Sequence, residues 1–356
     1  MSQTTSTDPT PQRGVGSVVA PPHARGGFGR HVIEIILRNP VLPILFIALP
    51  AFAVFVPDYA TTGNLQNLLL QSAVLALLVA GGGTVVISGN FDLSVEGTLA
   101  FSATVAAWLM YDKSPGSGFG LNGTLAVLVT VLVGIAVGVI NGLMVEALHV
   151  NPFIVTLGTL LTLKGAAAIP TSAQTLYGLP SSYSGVARQA YFGVNLIVLI
   201  AAVLYAGIAV YMTRAVAARH IYAVGGNKRA ARENGVNPLK SIIFVYCISG
   251  ACAGVAGWLT AARLDSAGPG LGNDITFTVF ASIVIGGIAL EGGKGSLWGA
   301  LGGVVLLGSI DNVLNLLAIN PLYVNFVRGS VIVIAILLIV ARGRLAAAFG
   351  IQERAV

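Results

Sequence analysis

Long apolar runs alternate with short polar connections over most of the chain. A helix needs about 20 mostly apolar residues to cross a hydrocarbon layer roughly 30 Å thick. Ten stretches fit or approach this pattern, and they lie approximately at residues 41–57, 65–88, 95–111, 122–145, 152–170, 192–212, 241–263, 275–290, 296–317 and 323–341. The third and eighth are short, which is typical of broken or re-entrant segments that line a path. The pattern therefore predicts an all-α polytopic membrane protein with about ten transmembrane helices, some of them short or broken.

The composition agrees with this pattern. Of the 356 residues, 55% are hydrophobic and 9% are charged, which excludes an ordinary soluble globular domain. Glycine is abundant, with 45 residues, and in an apolar chain this favours helices packed closely through small residues. Three predicted spans carry glycines at helical spacing: Gly134, Gly138 and Gly142; Gly250, Gly254 and Gly257; Gly299, Gly303 and Gly308. We interpret them as packing faces, with a glycine-lined substrate path as the alternative.

Basic residues are distributed unevenly between the two sides of the predicted bundle. If the N-terminus is cytoplasmic, fourteen of the 19 Lys and Arg residues fall on the cytoplasmic side, four fall outside and Lys164 falls within a span. The positive-inside rule then predicts that both termini are cytoplasmic. Residues 1–38 are predicted to be a disordered cytoplasmic tail without the apolar core of a cleavable signal peptide. Residues 39–342 then form the membrane domain, and residues 343–356 a cytoplasmic C-terminal tail.

The most strongly charged segment of the chain is the loop at residues 214–240. It carries six basic residues and one acidic residue, Glu233, and the positive-inside rule places it in the cytoplasm. The motif GGN at residues 225–227 predicts a turn, and the helix formers at residues 228–234 predict a short helix that Gly235 ends. A short surface helix bounded by glycines is typical of a docking element. A solvated linker that only sets the topology is the alternative.

The chain has no recognisable nucleotide site. The motif GGKG at residues 292–295 resembles part of a phosphate-binding loop, but Ile288 and Gly295 stand where that loop requires a glycine and a Ser or Thr. Cys247 and Cys252 are five residues apart in one apolar stretch, which indicates small buried residues rather than a disulfide or a metal site. The sequence therefore predicts a protein that is not an enzyme and that carries no cofactor or metal.

Ionisable residues inside predicted spans are costly, and each is a candidate for function. They are Asp92, Glu96, Lys164, Glu291 and Asp311. Asp92 or Ser94 is suited to cap the third helix, and a direct role of Asp92 along a substrate route is the alternative. Lys164 lies about two turns from the predicted outer surface, which favours an ammonium group that extends outward. The motif DNVLN at residues 311–315 predicts a polar seam between helices, with a solute-facing group as the alternative.

Four motifs, in order along the chain, are similar to those of a known family. They are FDLSVEG at residues 91–97, NPFIVTLGTLLTLKGAA at 151–167, AVGGNKRAARENGVNP at 223–238, and VIGGIALEGGKGSLWGALGG followed by DNVLN at 284–315. Together they resemble the permease subunits of bacterial ABC importers in the ribose, xylose and inositol group. Two departures stand out, because Glu96 replaces a small residue and Ile288-Ala289 stands where a Thr or Ser is common.

The resemblance implies a permease in the bacterial cytoplasmic (inner) membrane that imports a monosaccharide or polyol. It implies ATPase subunits that consume the ATP, an extracytoplasmic sugar-binding protein and a second, identical permease copy as partners, with membrane lipid around them and no nucleic acid. The implied ATPase-coupling residues are Gly225, Gly226, Asn227, Arg229, Ala230, Ala231 and Gly235. The candidate substrate pathway comprises Asp92, Ser94, Phe153, Thr156, Lys164, Asn312 and Asn315. The alternatives are an ion-gradient-driven secondary transporter and an ABC permease for branched-chain amino acids.

Overall fold

The computed structural model describes residues 41–111 and 119–320, together with eight positions between residues 323 and 337. The predicted tails at residues 1–38 and 343–356 lie outside the described residues. In the tenth predicted span the described positions are all helical, and they are Tyr323, Phe326, Val327, Gly329, Ser330, Val333, Ile334 and Leu337.

The described chain is built almost entirely from helices. These are α1 (Val41–Phe55), α2 (Thr62–Ile87), α3 (Val95–Met110), α4 (Gly123–Glu146), α5 (Pro152–Thr171), α6 (Ser181–Ser184), α7 (Leu196–Arg214), α8 (Val216–Gly226), α9 (Lys228–Glu233), α10 (Pro238–Leu264), α11 (Ile275–Ile285) and α12 (Leu297–Leu316). A short 3-10 helix covers Gly185–Arg188, and the strands are β1 (Leu176–Tyr177), β2 (Ala190–Tyr191), β3 (Val194–Asn195) and β4 (Ser266–Ala267). Strand β1 pairs antiparallel with β4, and β2 pairs antiparallel with β3.

The predicted spans agree well with these helices. Within the described residues, the first nine predicted spans each coincide with one helix to within a few residues at either end. Six helices are long and apolar enough to cross a membrane, namely α2, α4, α5, α7, α10 and α12. Helices α1, α3 and α11 are apolar but shorter. The prediction of an all-helical, multi-pass membrane protein is therefore confirmed.

Short polar side chains define where several of these helices begin. The side chains of Asn122, Asn151, Asn195 and Asn237 each accept a hydrogen bond from a backbone N–H in the first turn of α4, α5, α7 and α10. These caps satisfy backbone donors that have no partner inside the helix. Polar residues that interrupt the apolar runs thus set the ends of the helices as well as separating them.

Helices α2 and α10 form the centre of the bundle, and glycines bring several pairs of neighbouring helices unusually close together. A Cβ atom at Gly138 of α4 would lie 2.1 Å from the carbonyl oxygen of Tyr246 in α10, and one at Gly250 of α10 would lie 2.1 Å from that of Gly134. On α12, a Cβ at Gly303 would lie 2.1 Å from the carbonyl oxygen of Ser282 in α11. The interpretation of these glycines as packing faces is confirmed.

Helices α3 and α11 are shorter than the others around them, and α3 begins inside the bundle. Helix α2 ends at Ile87, and the chain then turns back beside it. This path is shown by Ser249, which donates a hydrogen bond to Asp92 and also packs against Gly81 of α2. Gly81 lies about 9 Å before the end of α2 by helical rise. Helix α3 therefore starts well below that end of the bundle. Helix α11 is only about 16 Å long by the same rise, in agreement with the prediction that the third and eighth segments are short.

Candidate functional site

The short helix predicted in the central loop is present as α9. Asn227 caps its start, since the side-chain oxygen accepts from the backbone N–H of Ala230 at 2.9 Å. Gly235, with a φ of 82°, ends the helix, and its N–H donates to the carbonyl of Arg232 at 3.0 Å. A left-handed backbone at this position is natural only for glycine or Asn. The predicted boundaries of this helix are therefore confirmed.

The predicted turn at Gly225 and Gly226 is wrong, because both residues belong to helix α8. A Cβ at Gly225 would lie 2.0 Å from the carbonyl oxygen of Ile87, where α2 ends, and 2.6 Å from the backbone nitrogen of Gly293. The N–H of Gly293 in turn donates to the carbonyl of Ile87 at 2.8 Å. Glycine is needed at position 225 because three backbone segments pack too closely there for a side chain, and not because the chain turns. The GGKG motif is one of these segments and serves packing.

The two alanines of α9 do not both face outward. Ala231 is buried against the bundle and Ala230 is half-buried, whereas the side chain of Arg229 is 91% exposed. The prediction that Ala231 belongs to a docking face is therefore wrong, because its methyl group is covered by the chain's own residues. The outward face of α9 is charged, and Arg229 pairs there with Glu233 one turn later, at 3.1 Å.

A buried carboxylate holds α9 on the bundle. Glu146 is the last residue of α4, and its Oε2 lies 2.5 Å from the Nζ of Lys228, while its Oε1 lies 3.9 Å from Nη2 of Arg232. We did not identify Glu146 from the sequence. The available signal was an acidic residue at the end of an apolar span, on the same predicted side as the basic loop.

A second contact joins this region to the loop before α12. The hydroxyl of Tyr222 in α8 donates to the carbonyl of Gly295 at 3.0 Å. Burial raises the pKa of this hydroxyl, which keeps it protonated and able to donate. Helices α8 and α9, the end of α2, the end of α4 and the loop before α12 therefore meet at one end of the bundle, which we call the coupling end.

Asp92 lies at the centre of a buried polar network. Its Oδ1 accepts from the backbone N–H of Ser94 at 3.0 Å and from the Ser94 hydroxyl at 2.6 Å, and its Oδ2 accepts from the Ser249 hydroxyl at 2.6 Å. Asn141 of α4 donates to the Ser94 hydroxyl at 2.9 Å and accepts from Thr159 of α5 at 2.7 Å. The network therefore joins the start of α3 to α4, α5 and α10.

The predicted capping role is wrong in its strict form. Ser94 occupies the position that precedes α3, but its side chain forms no capping hydrogen bond. Its hydroxyl and its backbone N–H instead both donate to Asp92, and these hydrogen bonds close a local turn at residues 92–94, just before the helix. The carboxylate of Asp92 thus orders the entry to α3 and ties it to α10.

Lys164 does not extend outward as predicted. Its Nζ forms an ion pair with Oε1 of Glu96, which lies in the first turn of α3. The other oxygen of Glu96 accepts from the hydroxyl of Thr276 at 3.1 Å and from the Thr276 backbone N–H at 3.4 Å. Glu96 therefore joins α3, α5 and the N-terminus of α11, where the partial positive charge of a helix end favours a carboxylate.

The other predicted pathway residues either lie away from the Asp92 network or already form hydrogen bonds within the chain. Phe153 is 53% exposed near the start of α5, and the buried Thr156 donates to the carbonyl of Pro152 in its own helix. Asn312 of α12 forms a reciprocal pair of amide hydrogen bonds with Asn64, at 2.8 and 2.9 Å.

The Asn64–Asn312 pair is far from the Asp92 network. Asn64 lies at the opposite end of α2 from Ile87, about 25 Å along the helix from Gly81. The interpretation of Asn312 as part of a polar seam is confirmed. Asn315 is exposed at the end of the same helix.

Comparison with known proteins places the chain in a family. Residues 64–336 match the family described as branched-chain amino acid transport system / permease component. The D-allose transport system permease protein of Escherichia coli (strain K12) is 34% identical over 297 residues, which cover 83% of this chain and 89% of that protein.

Two further relatives are similar over most of their length. The ribose import permease protein of Escherichia coli (strain K12) is 32% identical over 312 residues, covering 85% of this chain and 93% of that protein. The L-arabinose ABC transporter permease protein of Azospirillum brasilense is 28% identical over 331 residues, covering 93% of each chain. No solved structure matches the chain significantly. The chain therefore belongs to this permease family and is a multi-pass permease subunit of an ABC importer in the cytoplasmic membrane.

Proposed function

We propose that this permease imports a neutral monosaccharide or polyol and that separate ATPase subunits drive it through α9. The proposal rests on the position of α9. This short, capped helix is held on the bundle by the buried carboxylate of Glu146, while its other face is charged and exposed. Relatives named for D-allose, ribose and L-arabinose support the substrate class.

The arrangement offers a physical route from α9 to the interior. Glu146 and Asn141 both lie on α4, about 8 Å apart by helical rise. Helix α4 packs backbone to backbone against α10, so the two helices resist sliding past each other. A displacement of α9 would therefore reach the network around Asp92 through a rigid element rather than through a flexible loop.

A second, identical copy of the chain completes the proposed permease. Helix α5 supports this, because only five of its 20 residues are buried within the chain, namely Val155, Thr156, Leu163, Ala167 and Thr171. Its exposed residues follow a helical face that includes small and polar positions, namely Ile154, Gly158, Leu161, Thr162 and Gly165. A face of this kind suits a neighbouring helix better than lipid alone.

The remaining parts of the proposal are the orientation and the other partners. The coupling end faces the cytoplasm, where the ATPase subunits dock, and both chain termini lie on that side. The ATP is hydrolysed by those subunits and no cofactor is held by this chain. An extracytoplasmic sugar-binding protein delivers the solute from the other side.

The first experiment is to purify the tagged chain in mild detergent from its native membrane and to identify co-purifying proteins by mass spectrometry. Stoichiometric recovery of an ATPase subunit, with sugar uptake that stops when ATP is depleted, is the expected result. Recovery of the chain without an ATPase, together with uptake that survives ATP depletion and collapses with the ion gradient, would contradict the proposal and favour secondary transport.

A further inference from the structure

Two opposite charges meet deep inside the bundle, at Glu96 and Lys164. Along α5, Lys164 lies about 18 Å from Pro152 and about 10 Å from Thr171 by helical rise. Both distances place the ammonium group within a hydrocarbon layer roughly 30 Å thick. Charged groups at this depth are costly and are usually retained for a function.

The pair is not sealed from its surroundings. The side chain of Glu96 is almost completely buried, but that of Lys164 is 33% exposed. Asn273 and Asp274, which lead directly into the Thr276 contact, are exposed as well. Hydrocarbon does not solvate such groups. The space beside Lys164 and the N-terminus of α11 is therefore polar rather than lipid.

Asp92 provides an internal comparison. Both oxygens of Asp92 are engaged by donors from Ser94 and Ser249, and its surroundings are buried. These structural hydrogen bonds are enough to explain why a carboxylate is present at this position. Glu96 differs, because one of its two partners, Lys164, retains an exposed part and has further N–H donors to offer.

We propose that Glu96, Lys164 and Thr276 form an intramembrane subsite that binds the hydroxyl groups of a neutral polyhydroxylated solute during its passage. The inference rests on the proposed function and adds a binding site to it. Sugar hydroxyls both donate and accept, and here a carboxylate accepts, an ammonium donates and a hydroxyl does both. Because the two charges cancel, the subsite favours a neutral solute over a sugar acid.

A mutant cycle separates solute binding from a purely structural role. The variants are Glu96→Gln, Lys164→Met and the double variant, each measured as the complete importer in proteoliposomes with D-allose, D-ribose and L-arabinose as uptake probes. If the pair only holds helices together, removing both charges should restore uptake, because exchange of a buried ion pair for uncharged residues is often nearly neutral. If the pair binds solute, the double variant stays at least about tenfold slower than wild type although the complex assembles and hydrolyses ATP.

The control is Asp58→Asn, which removes a carboxylate from an exposed loop outside the site and should leave uptake unchanged. Near-wild-type uptake by the Glu96→Gln/Lys164→Met double variant would overturn the subsite.

A labelling experiment tests access to the subsite without requiring an ATPase. Lys164→Cys is placed in a chain whose two native cysteines are replaced by alanine, and a charged, water-soluble methanethiosulfonate reagent is applied. We expect labelling that at least one of the three sugars slows severalfold, and no labelling of Leu163→Cys, which is buried. Absence of labelling at position 164, or labelling that no sugar slows, would contradict the subsite even if the ATPase partnership is confirmed. Conversely, slowed labelling would support the subsite even if no ATPase is recovered.

Discussion

The carboxylate of Glu146 lies 2.5 Å from the ammonium of Lys228 and is almost completely buried, although Lys228 belongs to a helix at the surface. This contact joins the end of a long membrane helix to the six-residue helix that we propose as the ATPase contact. Glu146 is the buried member of this pair, whereas the side chains of Lys228 and Arg232 are 44% and 64% exposed. Loss of the carboxylate would therefore leave cations that water can still solvate, but it would remove the attachment of α9 to α4.

We therefore expect Glu146→Gln to reduce uptake by about tenfold or more, while ATP hydrolysis by the complex continues. The reason is that Lys228 and Arg232 lose their only described carboxylate partner at the coupling end, so α9 moves without carrying α4. Uptake and ATP hydrolysis should be measured on the same proteoliposomes. Glu233→Gln is the matched control: it removes the exposed partner of Arg229, an interaction of about 0.3–0.5 kcal/mol. Equal effects of the two substitutions would show that Glu146 has no special role.

Gly138→Ala should destabilise the permease strongly. The new methyl carbon would lie 2.1 Å from the carbonyl oxygen of Tyr246, so α4 and α10 have to separate. Gly207→Ala is the control, because a Cβ there meets no atom within 4 Å and alanine favours a helix by roughly 1 kcal/mol. Thermal unfolding of the purified protein in detergent should show a large drop for the first variant and none for the second. Similar melting temperatures would mean that α4 and α10 pack less closely than described.

Asp92→Asn should lower stability and uptake together. The amide can keep the contact with Ser249 only if the Ser249 hydroxyl reverses from donor to acceptor, and hydrogen bonds to a carboxylate become neutral ones, at a cost of about 1 kcal/mol or more. Melting temperature and uptake per folded protein provide the two measurements. A variant of unchanged stability with greatly reduced uptake would instead assign Asp92 a direct role in the pathway.

The pair of Asn64 and Asn312 should behave as a structural seam. Either single change to Leu leaves one buried amide without its partner, whereas the double change removes both, so the double variant should be more stable than the sum of the singles indicates. Hydrogen bonds of this kind between membrane helices are worth about 0.6–1.7 kcal/mol. Double-mutant unfolding in detergent measures the coupling. Strict additivity, with loss of uptake in the Asn312 variant alone, would return Asn312 to the pathway.

The amino-acid sequence by itself determined the helices and most of their ends. Apolar runs predicted nine described helices, and the two short runs correctly marked α3 and α11 as short helices, because length and hydropathy are local properties. Helix α9 was equally predictable from its helix formers and from Gly235. The four family motifs also sufficed to identify the permease family.

Only the tertiary structure decided which polar groups meet. Glu146 with Lys228, Glu96 with Lys164, and Asp92 with Ser249 are each brought together from residues far apart in the chain. Their partners depend on how helices cross, and helical periodicity says which residues share a face but not which face a neighbour covers. The same reason explains the error at Gly225, where local propensity predicted a turn, and the burial of Ala231, which the family resemblance had implied to be a coupling residue. Gly225 packs closely against the backbone at Ile87, and the methyl group of Ala231 is buried on the bundle, and both contacts depend on the tertiary structure.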